Sequence, residues 1–318
     1  MMETPPMKIS LGPVVYYWQR ETLLDFYEQM ICLPVDVIYL GETVCSKRRA
    51  LRVADWIGLA RHLAVGGRQI VLSTLTLIEA ESEISTLTRL CNNGELLVEA
   101  NDMAAVQLLA EKHLPFVAGP ALNIYNAHAL RYLHERGMTR WVAPLELSGE
   151  ILGNILRQAA ELGFADKLEV EIFSFGRMPL AHSARCFTAR AHNLPKDDCG
   201  FVCGNYPDGL PMHTQEGRHF LTLNGIQTQS GDVLNLLAVW RDMRELGVKI
   251  MRISPQSHHM REIVQSLHAA LRGETLPDLE PFLDGAACNG YWYGEAGMVQ
   301  VPAAYPGMQS FSSSGPPQ

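Results

Sequence analysis

The stretch "DVIYLGETVCSKRRALRVADWIGLARHLAVGGRQIVLST", residues 36–74, sets the fold. It opens with a short apolar run, "DVIYLG" (36–41). A helical pattern follows over 53–65, and a second apolar run, "QIVLST" (69–74), closes it. Two strands separated by a helix-bearing crossover read as a parallel βαβ unit. Both runs lack the alternation of a half-exposed strand, as expected when helices cover the sheet.

The same rhythm extends along the 318-residue chain. Further candidate strands are "VVYYW" (14–18), "LLVEA" (96–100), "PFVAG" (115–119), "WVAPLEL" (141–147), "LEVEIFSFG" (168–176), "FLTL" (220–223) and "KIMRIS" (249–254). Helical patterns occupy 21–32, 78–91, 101–113, 126–136, 148–162, 231–246 and 258–272. Asn101, Asn126 and Ser148 stand where N-caps belong, and Gly137, Gly163, Gly247 and Gly273 where helices stop. The number of repeats favours a TIM-barrel-like (β/α) fold. No Gly-x-Gly-x-x-Gly turn follows an early strand to support the alternative, an open doubly wound parallel sheet. Residues 1–302 read as one domain and 303–318 as a Ser- and Pro-rich flexible tail.

Composition narrows the function. A formal net charge of −8 disfavours nucleic acid as a partner, because phosphate neutralisation needs a basic surface. The start lacks the pattern of a secretory leader, and no apolar run is long enough for a transmembrane segment, so a cytoplasmic location is expected. Thiols stay reduced there, and seven unevenly spaced cysteines do not resemble a disulfide framework.

Residues 177–218 break the rhythm, and a loop of this length in a compact domain is usually functional. It carries Cys186, Cys199 and Cys203 with spacing Cys-x12-Cys-x3-Cys. Three clustered thiols point to a metal, and a tetrahedral thiolate site wants a fourth ligand. Candidates are Cys32, Cys45, Cys91, Cys288, His182, His192 and His213. Cys45 follows the carboxyl end of "DVIYLG", the end where barrel sites gather. Cys32 and Cys91 fall at helix ends as packed thiols, whereas Cys288 in "CNGYW" stays open. Zinc and an iron–sulfur cluster both suit four thiolates. Lys47, Arg48, Arg49, Arg185 and Arg190 flank the candidates and are either charge partners or a solvated surface.

Other polar residues fall at or just after strand ends: Glu42, Ser73, Glu99, Asn123, Glu146, Ser174 and Arg252. They are expected to line a pocket at the barrel mouth or, more plainly, to cap helices and loops. His258-His259 reads as an exposed pair and Trp240 as core. Neither His-Glu-x-x-His nor Gly-x-Ser-x-Gly is present to support a peptidase.

Long motifs carry a family resemblance: "SLGPV", "DVIYLGETVCSKRRA", "GRQIVLSTL", "LPFVAGPALNIYNA", "PLAHSARCFTAR", "PKDDC", "LNGIQTQSG", "RISPQ" and "CNGYW". With these the chain resembles the UbiV-type ubiquinone biosynthesis proteins, a branch of the collagenase-like peptidase family. The resemblance implies a 4Fe–4S cluster on Cys45, Cys186, Cys199 and Cys203, with Cys288 excluded. It also implies a heterodimer with a homologous UbiU-type subunit, needed for oxygen-independent ring hydroxylation. A lipid-carrier accessory protein, a quinone precursor and prephenate as oxygen donor belong to the same expectation. The rival functions are a cysteine- or metal-dependent peptidase and a non-catalytic structural or electron-transfer subunit.

Overall fold

A computed structural model describes residues 6–302; residues 1–5 and the expected tail, 303–318, lie outside them. The eight parallel staves of a closed barrel are β1 (Lys8–Leu11), β2 (Val37–Leu40), β3 (Gln69–Ser73), β4 (Leu97–Ala100), β5 (Phe116–Ala118), β6 (Met138–Val142), β7 (Glu169–His182) and β11 (Ile250–Ile253). Neighbours pair in sequence order, and β11 pairs with both β1 and β7, which closes the ring. The barrel expectation holds and the open sheet is not formed.

Helices α1 (Arg20–Met30), α2 (Val53–Ala64), α3 (Glu81–Cys91), α4 (Met103–Ala110), α5 (Ala127–His134) and α6 (Gly149–Glu161) follow the first six strands, and α8 (Trp240–Glu245) and α9 (Met260–Leu271) flank β11. Each lays an apolar stripe on the barrel; α6, for example, buries Leu152, Ile155 and Ala159. Removing such side chains from water drives the helix onto the sheet, with about 1.5–3 kcal/mol for each large one. Asn126 and Ser148 cap as expected, through Ala129 N and Ile151 N. The cap of α4 is Asp102, one residue beyond the expected Asn101. Asn101 instead donates to Thr74 O and ties β4 to the end of β3.

Three expectations need correction. The run 14–18 is buried but forms no strand, and the first strand lies upstream at Lys8–Leu11. The helix expected from 231 starts only at Trp240, because β10 (Gln227–Asn235) runs through its first half. The segment 177–218 is not a structureless loop. It holds the outer half of β7, the short helix α7 (Phe187–Ala191), and β8 (Leu210–His213), which pairs with β9 (His219–Asn224).

Strand β7 belongs to two structures at once. Its first half is a barrel stave paired with β6 and β11. Its second half leaves the ring and pairs antiparallel with β10, from Phe175↔Asn235 to His182↔Gln227. Gly176 sits at the exit with φ +124°, and a Cβ there would stand 2.6 Å from Cβ of Ser254. Only glycine fits both the dihedral and the space. The short strand β12 (Ala287–Cys288) pairs with β10 and buries Cys288.

A small apolar cluster of Val37, Tyr39, Val71, Val117, Val142 and Ile250 is buried on the staves, and a buried charge network accompanies it. Glu171 is 0% exposed and Arg252 4%. Arg252 Nε donates to Glu171 Oε1 at 2.6 Å, and its Nη1 lies 2.8 Å from Glu99 Oε1. Ser10 and Tyr39 donate to the Glu171 carboxylate at 2.7 and 2.5 Å, and Arg140 Nη1 donates to Tyr39 Oη at 3.1 Å. Burial alone would push the Glu171 carboxyl up, but Arg252 and Arg140 outweigh it and hold it below the ordinary range.

Candidate metal centre

Two distant segments bring four thiols together on the carboxyl side of the barrel. The first is the turn after β2. Glu42 Oε1 accepts the backbone N–H groups of Val44 and Cys45 at 2.9 and 3.0 Å, which fixes the turn and presents Cys45. The second is the excursion between β7 and β9. Cys186 is the N-cap of α7, and its sulfur accepts from Ala189 N at 3.4 Å. Cys199 and Cys203 bracket a tight turn in which Gly200 and Phe201 both have φ +55°. Left-handed backbone at a bulky residue such as Phe201 is strained, and strain of this kind concentrates at functional sites.

Their proximity shows in their electrostatics. Burial pushes the Cys45 thiol up; the Lys47 backbone N–H and the Arg48 charge oppose this, while Glu42 and Cys186 add to it. Burial also pushes the Cys203 thiol up, against Arg48, with Cys186 and Cys199 adding to the rise. Cys45 and Cys203 therefore each lie within electrostatic range of Cys186, and Cys203 also of Cys199. All four are partly buried, whereas Cys32 is exposed and Cys91 and Cys288 are fully buried.

Arg48 is the cation at the centre. It is buried, donates to Val15 O at 2.7 Å and to Asn224 Oδ1 at 2.8 Å, and lies 3.8 Å from Glu42. Its Nε is buried with no hydrogen-bond partner among the described residues. A buried cation beside Cys45 and Cys203, with one N–H unpartnered, suits an anionic group. Lys47 reaches across to Lys196 O at 3.1 Å and to the Asp197 carboxylate, joining the two segments at the surface. Arg49 and Arg185 are exposed.

Among the described residues, no three His, Cys, Asp or Glu side chains surround a position for a single metal ion. One zinc needs its sulfurs about 2.3 Å from a common point. A cubane takes one thiolate per iron at separate corners, a wider arrangement. Four thiolates are the donor number that either group takes.

The polar residues expected at the barrel mouth separate into groups. Glu99, Asn123, Glu146 and Arg252 line one cavity of about 290 Å3. Glu42 and Ser73 line a groove of about 800 Å3 between α2 and α3, rimmed by Lys47, Arg49, Arg52 and Arg89. Ser174 faces away from both, toward Ile172 O and the Met243 sulfur. His258 and His259 are exposed, and Trp240 is buried. The sequence reading missed Glu171, Arg140 and Tyr39, and it weighed His182 only as a ligand. The usable signal was charge inside otherwise apolar strands, at period two in "EVEIF" and single in "TRWV", which places charges within the ring.

Fold and site together define a (β/α) barrel protein with a three-cysteine excursion between its last two staves and a fourth cysteine on the turn after β2. The chain belongs to peptidase family U32, whose family model matches residues 25–272. Among solved structures it is similar to dihydropteroate synthase from Thermus thermophilus, at 13% identity over 83% of this chain and 94% of that one, with a TM-score of 0.41. A dihydropteroate synthase from Coxiella burnetii, in complex with pteroic acid, is 10% identical over 86% and 96%, with a TM-score of 0.43. Strand register, rather than these distant likenesses, defines the barrel. Among the described residues, no helix is long and apolar enough to cross a membrane.

Proposed function

We propose that this chain is an iron–sulfur protein of the UbiV-type branch of family U32. It holds a 4Fe–4S cluster on Cys45, Cys186, Cys199 and Cys203. It works in the cytoplasm with a homologous UbiU-type subunit, in oxygen-independent ring hydroxylation for ubiquinone biosynthesis. The carrying observation is the approach of four thiols from two remote segments, with the buried Arg48 beside Cys45 and Cys203.

When bound, a cluster supplies one-electron transfer at a potential set by net charge, hydrogen bonds to sulfur and solvent access. The chain's own residues control each of these. Glu42 fixes the Cys45 turn, and Arg48 sets a buried positive charge against four thiolates. The α7 backbone donates to Cys186. A lipid-tailed quinone precursor has to be delivered by partners such as a lipid-carrier protein, and prephenate is the oxygen donor in this reading.

Anaerobic purification followed by iron and sulfide determination tests the reading. About four of each per chain is the expected result. One zinc without sulfide, even after anaerobic reconstitution, would reject the cluster. Cleavage of collagen-like or casein substrates by metal-free protein, abolished in Cys186→Ala, would move the assignment to a cysteine peptidase. Stoichiometric capture of the homologous subunit from anaerobically grown cells, with loss of anaerobic ubiquinone on gene deletion, tests the partner and the pathway.

A further inference from the structure

A continuous line of hydrogen bonds runs from the thiol site to the barrel mouth, and its direction is fixed by chemistry. Arg48 can only donate. Asn224 Oδ1 is therefore an acceptor at 2.8 Å, and the Nδ2 end of Asn224 faces the other way. That Nδ2 donates to Gln227 Oε1 at 3.0 Å, and Gln229 Nε2 donates to the same oxygen at 2.9 Å. With two donors on its oxygen, Gln227 directs its own Nε2 at His182 Nε2, 3.1 Å away. Amide orientation and imidazole tautomer are settled by such networks. Here every link agrees, including Tyr16 Oη on Gln229 Oε1 at 3.2 Å. His182 Nε2 is thus an acceptor, and in the neutral ring the proton sits on Nδ1. Burial keeps the ring neutral, pushing its pKa down to about 4. Among the described residues, Nδ1 makes no hydrogen bond.

His182 lines the mouth cavity of about 290 Å3 together with Gln227, Arg252, Glu99, Phe173 and Leu145. The one cation of this group is already matched, since Arg252 contacts both Glu171 and Glu99. The cavity therefore offers a neutral N–H donor between apolar and polar walls and no net positive charge, because two carboxylates match Arg252 although its Nη2 has no hydrogen-bond partner among the described residues.

We propose that this cavity binds a small uncharged molecule with an acceptor oxygen on an apolar body, and that His182 Nδ1–H is the donor to that oxygen. Arg48, Asn224 and Gln227 are positioning residues that fix the tautomer. The same arginine that faces the thiols thereby decides what the mouth can recognise. This inference stands on hydrogen bonds and a cavity and does not depend on what the thiols hold.

The test uses the anaerobically purified full chain labelled with 15N-histidine, with His182→Gln to assign the resonances. Two-bond 1H–15N correlations should show protonated Nδ1 and bare Nε2 at His182. Gln227→Glu replaces the donor to Nε2 with a carboxylate oxygen and should invert the pattern to Nε2–H. Acetophenone should shift the His182 signals, and benzoate should not. Acetophenone should bind about tenfold more weakly to Gln227→Glu, the loss of about one net hydrogen bond. An Nε2–H tautomer in the unmodified protein overturns the proposal. So does an unchanged tautomer in folded Gln227→Glu, or benzoate shifting His182 at lower concentration than the ketone. Should Gln227→Glu fail to fold, Gln227→Leu serves in its place. A mixture of tautomers supports the proposal, and a single unchanged one overturns it.

Discussion

Arg252 Nε meets Glu171 Oε1 at 2.6 Å inside the closed ring, where both side chains are almost wholly buried. A charge stranded there has nowhere to go. Arg252→Met leaves Glu171 and Glu99 short of a counter-charge and should cost about 3–5 kcal/mol. Urea denaturation should show a lower midpoint with an unchanged slope. A loss under about 1 kcal/mol would mean that water reaches the interior and screens the stranded carboxylates.

The thiols should divide into two classes. Cys→Ala at Cys45, Cys186, Cys199 or Cys203 should each sharply lower iron and sulfide content. Cys32→Ala, Cys91→Ala and Cys288→Ala should retain both, at a packing cost of roughly 1–2 kcal/mol for the two buried thiols. Full iron in Cys45→Ala with loss in Cys288→Ala would exchange the ligand assignment.

Arg48 holds both thiol-bearing segments to the barrel by donating to Val15 O and Asn224 Oδ1. Lysine lacks the planar fork and cannot serve both acceptors in this geometry. Arg48→Lys should lose about 1–3 kcal/mol, the penalty of one unsatisfied buried group. It should also release iron faster to a chelator. Unchanged release would confine Arg48 to a structural role.

Burial depresses the His182 pKa to about 4, against about 6.5 in an unfolded chain. Between these values the unfolded state binds the proton and the native state does not. The stability contribution is therefore present above about pH 6.5 and is lost as pH falls toward 4. His182→Gln removes this dependence. Melting curves at about pH 7 and pH 5 should show a larger drop for the unmodified protein than for the variant. Equal drops would place the protonation elsewhere.

Gly176 turns β7 out of the ring with φ +124°. Gly176→Ala combines a forbidden dihedral with a contact against Ser254 and should cost about 2 kcal/mol or more. Thermal melting measures this directly. A neutral result would mean that the exit can be remade without the left-handed residue.

Local pattern made the staves legible. "DVIYLG", "QIVLST" and "KIMRIS" lie on β2, β3 and β11, and the glycines at 137, 163, 247 and 273 all adopt positive φ after helices or helical turns. "VVYYW" misled because Val14, Val15, Tyr16 and Trp18 are buried by packing rather than by strand pairing. Strand β10 pairs with β9 across a tight turn at Asn224-Gly225, a local hairpin signal that the polar run "QTQSG" masked, and with the outer half of β7 some fifty residues upstream. Cys45 could be placed by its strand end. No spacing rule could reveal that Arg48 reaches Asn224, since only the fold brings them together.

Barrel closure sets an order of events during synthesis. Lys8 pairs with Ile250, so the first stave waits for the last one to leave the ribosome. The segments bearing Cys45, Cys186, Cys199 and Cys203 all emerge before β11 does. Such remote pairing is slow to form, and nascent chains expose what they have not yet enclosed. The ring is therefore sealed only after each of these four thiols has emerged. Whatever these thiols hold can reach them before the final architecture of the molecule forms.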